Sequence, residues 1–340
     1  MIKAKFHKRT FHFKRPSGTS RGVLTEKHAW FIEVWEEKEP SIIGIGECSI
    51  IPGLSPDFVA FESYEEKLSE VCDDLSTDLQ EWPSILFGVE CALLDLKNGG
   101  RGSYFENAFS RGEQKIPING LIWMGSEEFM QTQVEEKIAA GFSVIKMKIG
   151  AIDFETEFKI LKSIREKFSK EQLTLRVDAN GAFSPEEAMT KLRRLAELDI
   201  HSIEQPIKKG QYIVMNQLCT YSPLDIALDE ELIGINSTAS KIELLDSIKP
   251  PFIILKPSLH GGISGCKEWI QLAEERNIAW WITSALESNV GLNAICQFVG
   301  EYKNDLPQGL GTGSLYTDNI ESDLVVENGM IFKSVSSSKI

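Results

Sequence analysis

Residues 173–198 read LTLRVDANGAFSPEEAMTKLRRLAEL, and this stretch contains one complete strand–turn–helix unit. Its first part, LTLRVDA, is mostly apolar and precedes an Asn-Gly turn, which predicts a buried strand. Ser184 then occupies an N-cap position, with Pro185 in the first turn and Glu187 three residues after the serine. Serine followed by glutamate at this spacing forms a capping box, so a helix is predicted to begin here.

The same unit repeats along the chain from about residue 116. Helix candidates such as DFETEFKILKSIREKF alternate with short apolar runs that we interpret as strands. The predicted strands are IPINGLI, SVIKMKI, LTLRVDA, SIEQP, DIALDE, FIILKP, AWWITSAL and PQGLG. Eight strands alternating with about seven helices predict an α/β fold whose parallel sheet can close into a barrel. A doubly wound open sheet is the alternative, but no GxGxxG motif follows a strand near the start of this region.

The first hundred residues follow a different order, in which strand patterns precede helix patterns. Three strands are predicted from IKAKFHKRTFHFKR, TEKHAWFIEVWEE and SIIGIGECSI, and two helices from residues 58–75 and 83–98. This order is typical of a small α+β domain. We therefore predict an α+β domain over residues 1–100 and a barrel over residues 116–315. The tail, residues 316–340, is predicted to form a hairpin that packs back on the first domain.

The composition excludes several classes of function. A net charge of −14 over 340 residues, without a basic run, argues against a nucleic-acid partner. No apolar stretch is long enough to span a membrane, and the basic N-terminus lacks the apolar core of a signal peptide. The six cysteines are scattered without a CxxC pair, which indicates a reducing compartment and hence the cytoplasm. The five histidines are also dispersed, so any metal would be held mainly by carboxylates.

Charged residues occur at the predicted carboxyl ends of consecutive strands. SVIKMKIG (143–150) places two lysines one residue apart, and alternation along a strand puts both on the same face. The next strands each end in an acidic residue or a lysine, at steps of 25 to 30 residues. Because the carboxyl ends of barrel strands meet at one mouth, these side chains are predicted to share a site. The set is Lys146, Lys148, Asp178, Glu204, Asp229 and Lys256.

Each of these residues alone has an ordinary structural explanation. The lysines could protect an edge strand, and Asp178 could serve the DANG turn. Glu204 could be a rim charge, and Asp229 could lie in the acidic first turn of the next helix. Charge at five consecutive strand ends, each after a largely apolar run, is hard to explain in that way.

Carboxylates on three adjacent strands predict a site for a hard divalent cation, which prefers oxygen ligands. We predict Mg²⁺, with Mn²⁺ as a substitute, bound by Asp178, Glu204 and Asp229. Arg176 alternates to the same face as Asp178 and is predicted to support the carboxylates. A lysine acts as a base when it is neutral, and a second lysine beside it favours loss of its proton. The set therefore predicts proton abstraction next to a metal-bound carboxylate of a small anionic substrate.

Together these residues resemble the enolase superfamily, in its muconate-lactonizing subgroup. That subgroup carries KxK on strand two, metal-binding Asp, Glu and Asp (or Glu) on strands three to five, and lysine on strand six. The resemblance covers essentially the whole chain, and it implies a modified (β/α)7β TIM-type barrel with an N-terminal α+β capping domain. It also implies that Lys148 is the general base, that Lys146 tunes it, and that Lys256 stabilises the enediolate anion from the other face.

The flanking sequences are similar to those of the o-succinylbenzoate synthases, a family within this subgroup. The similar stretches are PINGLIWMG, LKPSLHGG, TSALESNVGL, GLGTGSLYTDN, GECSIIPGLS and PSILFGVECALLDL. The resemblance implies a lyase of menaquinone biosynthesis that converts 2-succinyl-6-hydroxy-2,4-cyclohexadiene-1-carboxylate to 2-succinylbenzoate. In that syn dehydration Lys148 would remove the α-proton and return it to the departing hydroxyl.

Related enzymes of the superfamily are the alternatives: N-succinylamino acid racemase, dipeptide epimerase and muconate cycloisomerase. Dipeptide epimerases carry a DxD motif at the eighth strand end, where this chain reads GLGTG (309–313). The racemase needs the same lysines and no extra charged group, so it stays open. A non-catalytic binding barrel would be expected to lack a ligand or a lysine, and none is missing from the sequence.

The resemblance also points to substrate contacts. The stretches PSGTSRG (16–22) and PGLSPD (52–57) match loops of the capping domain that close over the barrel in the family. Two further polar residues lie near the ends of strands one and seven, although turn or packing roles would explain them equally well. The candidate contacts are Asn119, Ser284, Ser20 and Arg21. An oligomer is compatible with the sequence.

Overall fold

An antiparallel sheet begins the chain in the computed structural model, which describes residues 1–19, 22–123 and 125–334. Helices pack on one face of this sheet. We call the sheet and these helices the cap. Its elements are β1 (Ile2–Thr19), β2 (Gly22–Glu36), β3 (Glu39–Ser49), α1 (Phe61–Asp73) and α2 (Pro83–Lys97), with the strands in the order β1-β2-β3.

Both faces of the cap sheet are buried because alternate side chains pack on different neighbours. Trp30 and Ile32 of β2 lie in a core with the cap helices, whereas Phe31 packs with residues of the barrel. Helix α2 approaches β3 closely, since a Cβ atom on Gly46 would lie 1.8 Å from the carbonyl oxygen of Gly88. The glycines of GIGECS therefore set the distance between the sheet and this helix.

A parallel sheet follows, and in the described part of the chain it has seven strands in the order β11-β10-β9-β8-β7-β6-β5. Its strands and the short β4 before them are β4 (Ile116–Pro117), β5 (Gly120–Ile122), β6 (Val144–Lys148), β7 (Thr174–Asp178), β8 (Ser202–Glu204), β9 (Asp225–Leu228), β10 (Phe252–Leu255) and β11 (Ala279–Ile282). The helices that alternate with them are α3 (Glu127–Ala139), α4 (Phe154–Lys167), α5 (Pro185–Ala196), α6 (Tyr212–Tyr221), α7 (Thr238–Ile248), α8 (Gly262–Glu274) and α9 (Asn289–Val299), with a 3₁₀ turn at Glu230–Leu232. None of the helices in the described ranges is long and apolar enough to cross a membrane.

Helix α5 begins where the capping box predicts it. Ser184 Oγ accepts a hydrogen bond from Glu187 N at 3.4 Å, and Pro185 is the first helical residue. Its apolar face, with Ala188 and Leu192, is buried in the barrel core. The sequence therefore fixes both the start of the helix and the side that faces the sheet.

The predicted eighth strand, PQGLG, joins the two ends of the curled sheet. Gln308 pairs with Ile118 and Gly309 pairs with Thr283 as isolated parallel bridges. Gln308 N also donates to Pro117 O at 2.8 Å. This strand is reduced to bridges, yet it links the first strand region to β11. The predicted TIM-type barrel with an N-terminal capping domain is thus confirmed.

The tail follows its prediction only in part. It does form a hairpin, of β12 (Leu324–Glu327) and β13 (Met330–Lys333), but β13 pairs with β4 and not with the cap sheet. Burial explains the difference, because Ile331 lies in the barrel core. Before the hairpin, residues 316–318 do pack on the cap sheet: Tyr316 forms a bridge to Phe13, Thr317 N donates to His12 O at 2.9 Å, and Arg9 Nη2 donates to Asp318 O at 2.6 Å. Residues 335–340 of the predicted tail lie outside the described residues.

Candidate active site

The charged strand-end residues converge at the carboxyl edge of the barrel, which we call the barrel mouth. In the parallel register Lys148 lies beside Asp178, and Asp178 lies beside Glu204. Asp229 directly follows β9 and Lys256 directly follows β10, so both emerge at the same edge. The mouth opens into a cavity of about 110 Å³ between the barrel and the cap. The cap contributes apolar walls to this cavity, Leu24, Ile51 and Leu54.

Lys146 and Lys148 lie side by side at the end of β6 and share one carboxylate oxygen. Lys146 Nζ donates to Asp178 Oδ2 at 3.1 Å and to Glu204 Oε2 at 2.6 Å. Lys148 Nζ donates to the same Asp178 oxygen at 2.9 Å and to Asn180 Oδ1 at 2.8 Å. Burial opposes the charged form of Lys146, but the charges of Asp178 and Glu204 outweigh burial and raise its pKa. Lys146 is therefore a fixed positive charge beside Lys148.

Lys256 faces this pair from the opposite side of the barrel. Its Nζ forms an ion pair with Asp229 Oδ2. Burial again opposes the ammonium form, but the charges of Asp229 and Glu204 raise the pKa of Lys256 above its ordinary value. Lys146, Lys148 and Lys256 all line the same cavity, so a ligand there would lie between amino groups on two sides.

The carboxylates of the mouth differ in their pKa values, and two of their oxygens have no hydrogen-bond partner among the described residues. Burial would raise the pKa of Asp178, but Lys146 and Lys148 hold it below its ordinary range. Burial and the neighbouring Asp178 raise the pKa of Glu204 to about 8. Glu204 Oε1 and Asp229 Oδ1 are buried and have no hydrogen-bond partner among the described residues. Both oxygens would be stabilised by a further positive charge.

The predicted metal ligands do not form a closed cage. Within the described residues, no three His, Cys, Asp or Glu side chains are grouped so that they could hold a metal ion. The carboxylates are instead paired with lysines: Lys146 Nζ contacts both Asp178 and Glu204, and Lys256 contacts Asp229. The donor type and the buried oxygens without partners nevertheless fit a hard divalent cation.

Asn180 and Glu230 also line the cavity, and the sequence analysis did not identify them. Asn180 Nδ2 donates to Glu230 Oε1 at 3.0 Å, while Asn180 Oδ1 accepts from Lys148. Asn180 has φ of +44°, a left-handed conformation that asparagine tolerates, and its N donates to Asp178 Oδ1 at 3.1 Å. A signal was present in the sequence, since each residue lies one or two positions after a strand-end aspartate.

Arg176 points inward as predicted, but it does not hydrogen-bond the carboxylates. Its Nη1 donates to Pro307 O at 2.8 Å, and its guanidinium lies 4.2 Å from the centre of the Trp281 ring. Burial lowers the pKa of Arg176 to about 10, although the charge of Glu204 opposes this. The strand geometry explains the correction, because a residue two positions before Asp178 lies one layer deeper in the barrel.

Asn119 and Ser284, two of the predicted substrate contacts, both line the cavity. Ser284 Oγ accepts hydrogen bonds from Leu286 N and from Thr312 Oγ1, each at 2.9 Å. Thr312 comes from GLGTG and also lines the cavity, although the sequence analysis did not select it. These residues are close enough to touch a ligand, and their role stays a prediction.

One of the two predicted loops of the cap lines the cavity in the described residues. Leu54 of the predicted loop 52–57 lines the cavity. Ser20 and Arg21, the candidate contacts of the loop 16–22, lie outside the described residues. Their prediction is therefore untested.

Known proteins are similar to this chain along almost its whole length. The family of enolase C-terminal domain-like proteins matches residues 130–334. An o-succinylbenzoate synthase from Desulfotalea psychrophila is 48% identical, over 94% of this chain and 95% of its own. The crystal structure of MenC from Desulfotalea psychrophila superposes with a TM-score of 0.87 at 42% identity, over 97% of this chain and 99% of that chain. A dipeptide epimerase from Enterococcus faecalis, complexed with Mg and the dipeptide L-Leu-L-Tyr, shares the fold at 19% identity, with a TM-score of 0.80 and coverage of 98% and 97%.

Proposed function

The chain belongs to the enolase superfamily, and on this premise we propose that it catalyses the o-succinylbenzoate synthase reaction. The reaction dehydrates 2-succinyl-6-hydroxy-2,4-cyclohexadiene-1-carboxylate to 2-succinylbenzoate, a step of menaquinone biosynthesis. The observation that carries the proposal is the 48% identity to an o-succinylbenzoate synthase across cap and barrel together. A small anionic carboxylate is also the kind of substrate that a mouth lined by lysines would bind.

We assign the proton transfer to Lys148. In its neutral form it accepts the proton from the carbon α to the substrate carboxylate, and the electrons of that C–H bond become available to the ring. When the C–O bond on the neighbouring carbon breaks, Lys148 returns the proton to the leaving hydroxyl, so water departs and a C=C bond remains. Asp178 Oδ2 and Asn180 Oδ1, at 2.9 Å and 2.8 Å from Nζ, hold this amine at the cavity wall.

We assign Lys256 a charge without a proton transfer. Its raised pKa keeps it protonated at neutral pH, and it faces the cavity from the side opposite Lys148. A positive charge there stabilises the negative charge that develops on the substrate oxygens when the α-proton leaves. In a syn dehydration the proton and the hydroxyl leave from one face, so Lys256 need not act as an acid or a base.

We further propose Mg²⁺ as the cofactor, with Mn²⁺ as a substitute, held by Asp178, Glu204 and Asp229. Two buried carboxylate oxygens without partners among the described residues, Glu204 Oε1 and Asp229 Oδ1, support this assignment. When bound, the ion would polarise the substrate carboxylate and make the α-proton more acidic. Lys146 and Lys256 contact the same carboxylates and would orient them.

Steady-state kinetics with purified protein and Mg²⁺ test the proposed function. We expect a higher kcat/KM for the cyclohexadiene carboxylate than for racemisation of an N-succinylamino acid, with epimerisation of dipeptides lower still. Lys148→Ala provides the inactive reference, and Lys162→Ala, which changes an exposed lysine of α4, provides the control. Racemisation faster than dehydration would contradict the proposed reaction and leave the lysine and carboxylate assignments in place.

We also propose that the enzyme works in the cytoplasm. Its six cysteines are free thiols in the structure, which describes all of them, and a reducing compartment would keep them so. Fractionation of cells that express the tagged chain, followed by immunoblotting, tests this location.

A further inference from the structure

His260 is a buried histidine that the proposed chemistry does not use. It lies in the short connection between β10 and α8, and 2% of its surface is exposed. A buried imidazole needs a reason, because its polar nitrogens lose hydration. The reason lies in its contact with Lys256.

Side-chain and backbone hydrogen bonds join His260 to Lys256. Lys256 N donates to His260 Nδ1 at 2.8 Å. In the other direction, His260 N donates to Lys256 O at 3.0 Å. The carbonyl of Lys256 also accepts from Leu259 N at 2.8 Å, whereas its N–H is held by the His260 imidazole.

Lys256 needs this support because of its place in the fold. The ladder between β10 and β11 ends with the pair Leu255 and Ile282, so Lys256 is the first residue beyond it. Pro257 follows and has no N–H with which to continue a backbone pattern. The imidazole thus replaces the acceptor that a neighbouring strand would otherwise supply.

The chemistry of the ring suits this role. To accept a hydrogen bond at Nδ1, the imidazole must be neutral with its proton on Nε2. Burial, with smaller effects from Lys256 and Lys241, lowers the pKa of His260 well below its usual value. The ring therefore stays an acceptor across the pH range in which an enzyme works.

We propose that His260 is a positioning residue for Lys256. By fixing the Lys256 backbone directly after β10, it sets the direction in which the side chain leaves the strand end. The ammonium group then reaches Asp229 and the cavity. This proposal rests on the proposed function, because it assumes that the charge of Lys256 stabilises the transition state.

Two variants with the same branched side-chain skeleton separate the hydrogen bond from packing. Asparagine carries an acceptor oxygen near the position of Nδ1, whereas leucine has the same arrangement of heavy atoms and no acceptor. We expect His260→Leu to lower kcat for dehydration about tenfold with little change in KM, since one hydrogen bond to a positioning group is lost. His260→Asn is expected to retain kcat within about threefold of the wild type, because an acceptor for Lys256 N remains.

A double-mutant cycle provides the readout that a merely structural role would not move. If His260 acts through the charge of Lys256, His260→Leu should change kcat by less than about twofold in a Lys256→Ala background, where that charge is absent. An equal loss in both backgrounds, or an equal loss with asparagine and leucine, would overturn the proposal. So would a leucine variant that is unfolded by circular dichroism while the asparagine variant is folded and active, because the bond would then support the fold. Absence of dehydration in the wild type would instead contradict the proposed function.

Discussion

The barrel mouth and the cap both bury carboxylates, but they use them differently. In the mouth, Asp178 and Glu204 share the ammonium group of Lys146 beside a cavity. In the cap, Asp57 lies at the N-terminal end of α2 and accepts hydrogen bonds from Ser84 N at 2.8 Å and Ser84 Oγ at 2.6 Å. The cap carboxylate therefore satisfies the first turn of a helix, as an N-cap residue does.

The difference shows what marks a reactive site among buried charges. Burial alone does not, because Asp57 is as deeply buried as the mouth residues. A carboxylate or an amine indicates chemistry when groups of like charge converge on a space that a ligand can enter. Substitutions in the two regions can break or sharpen this comparison.

The largest effect is expected from removing a carboxylate charge at the mouth. Asp178→Asn, Glu204→Gln and Asp229→Asn should each abolish turnover while leaving the fold largely intact, and exhaustive chelation of divalent ions should do the same. The measurements are kcat with added Mg²⁺ and the circular dichroism spectrum of each variant. Asp57→Asn is the matched control, because it removes a buried carboxylate from the cap and should leave turnover within about twofold. Full activity after chelation would remove the metal from the proposal.

Removal of the base is expected to rank second. Lys148→Ala should lower the dehydration rate by about 10²–10⁴-fold, since general-base catalysis contributes on this scale. It should also eliminate exchange of the substrate α-hydrogen with solvent, which mass spectrometry in D₂O measures. Lys146→Ala should retain exchange and move the pH–rate profile upward, because a fixed positive charge beside the base is lost. The reverse pattern would show that the other lysine of the pair is the base.

The third prediction concerns the lysine on the opposite face. Lys256→Arg keeps the positive charge but cannot act as a base, because arginine stays protonated. We expect dehydration to fall by only about tenfold and racemisation of N-succinylamino acids to be lost. Steady-state kinetics on both substrates measure the two rates. Equal retention of both activities would mean that Lys256 transfers no proton in racemisation either, and equal loss would mean that dehydration needs the lysine itself.

Sequence patterns predict the regular parts of this molecule better than its loops. The alternation of strands and helices and the charges at strand ends follow from periodicities that the chain repeats, so the barrel could be foreseen. The hairpin at residues 324–333 could also be foreseen, but its pairing with β4 could not be, because its place depends on burial of Ile331 in a distant core. Asn180 and Thr312 likewise enter the cavity from turns, where no periodicity assigns a direction to a side chain.

The Lys146 contacts show a further limit of sequence reasoning. Strand alternation predicts that Lys146 and Lys148 share a face, and the structure agrees. Alternation does not predict that Lys146 reaches Glu204, two strands away, or that Arg176 stacks on Trp281 instead of supporting the carboxylates. Such contacts depend on the length of each side chain and on the curvature of the closed sheet.

The smallest effect on activity, and a clear one on stability, is expected from Asp57→Asn in the cap. Burial raises the pKa of Asp57 from 3.8 to about 6, although the bonds from Ser84 oppose this. Between about pH 4 and pH 6, Asp57 is therefore protonated in the folded cap but ionised in the unfolded chain. The stability that Asp57 contributes is present at low pH and is lost as the pH rises through about 6. Two pKa units correspond to about 3 kcal/mol, and asparagine does not titrate.

Between pH 4 and pH 7 we expect the free energy of unfolding in urea to fall by about 3 kcal/mol more in the wild type than in Asp57→Asn. Asp73→Asn, at an exposed position of α1, is the control and should show no such shift. A stability difference between Asp57→Asn and the wild type that stays constant with pH would mean that Asp57 has the same pKa in the folded and unfolded chain. The hydrogen bonds from Ser84 would then fully offset the effect of burial on this carboxylate.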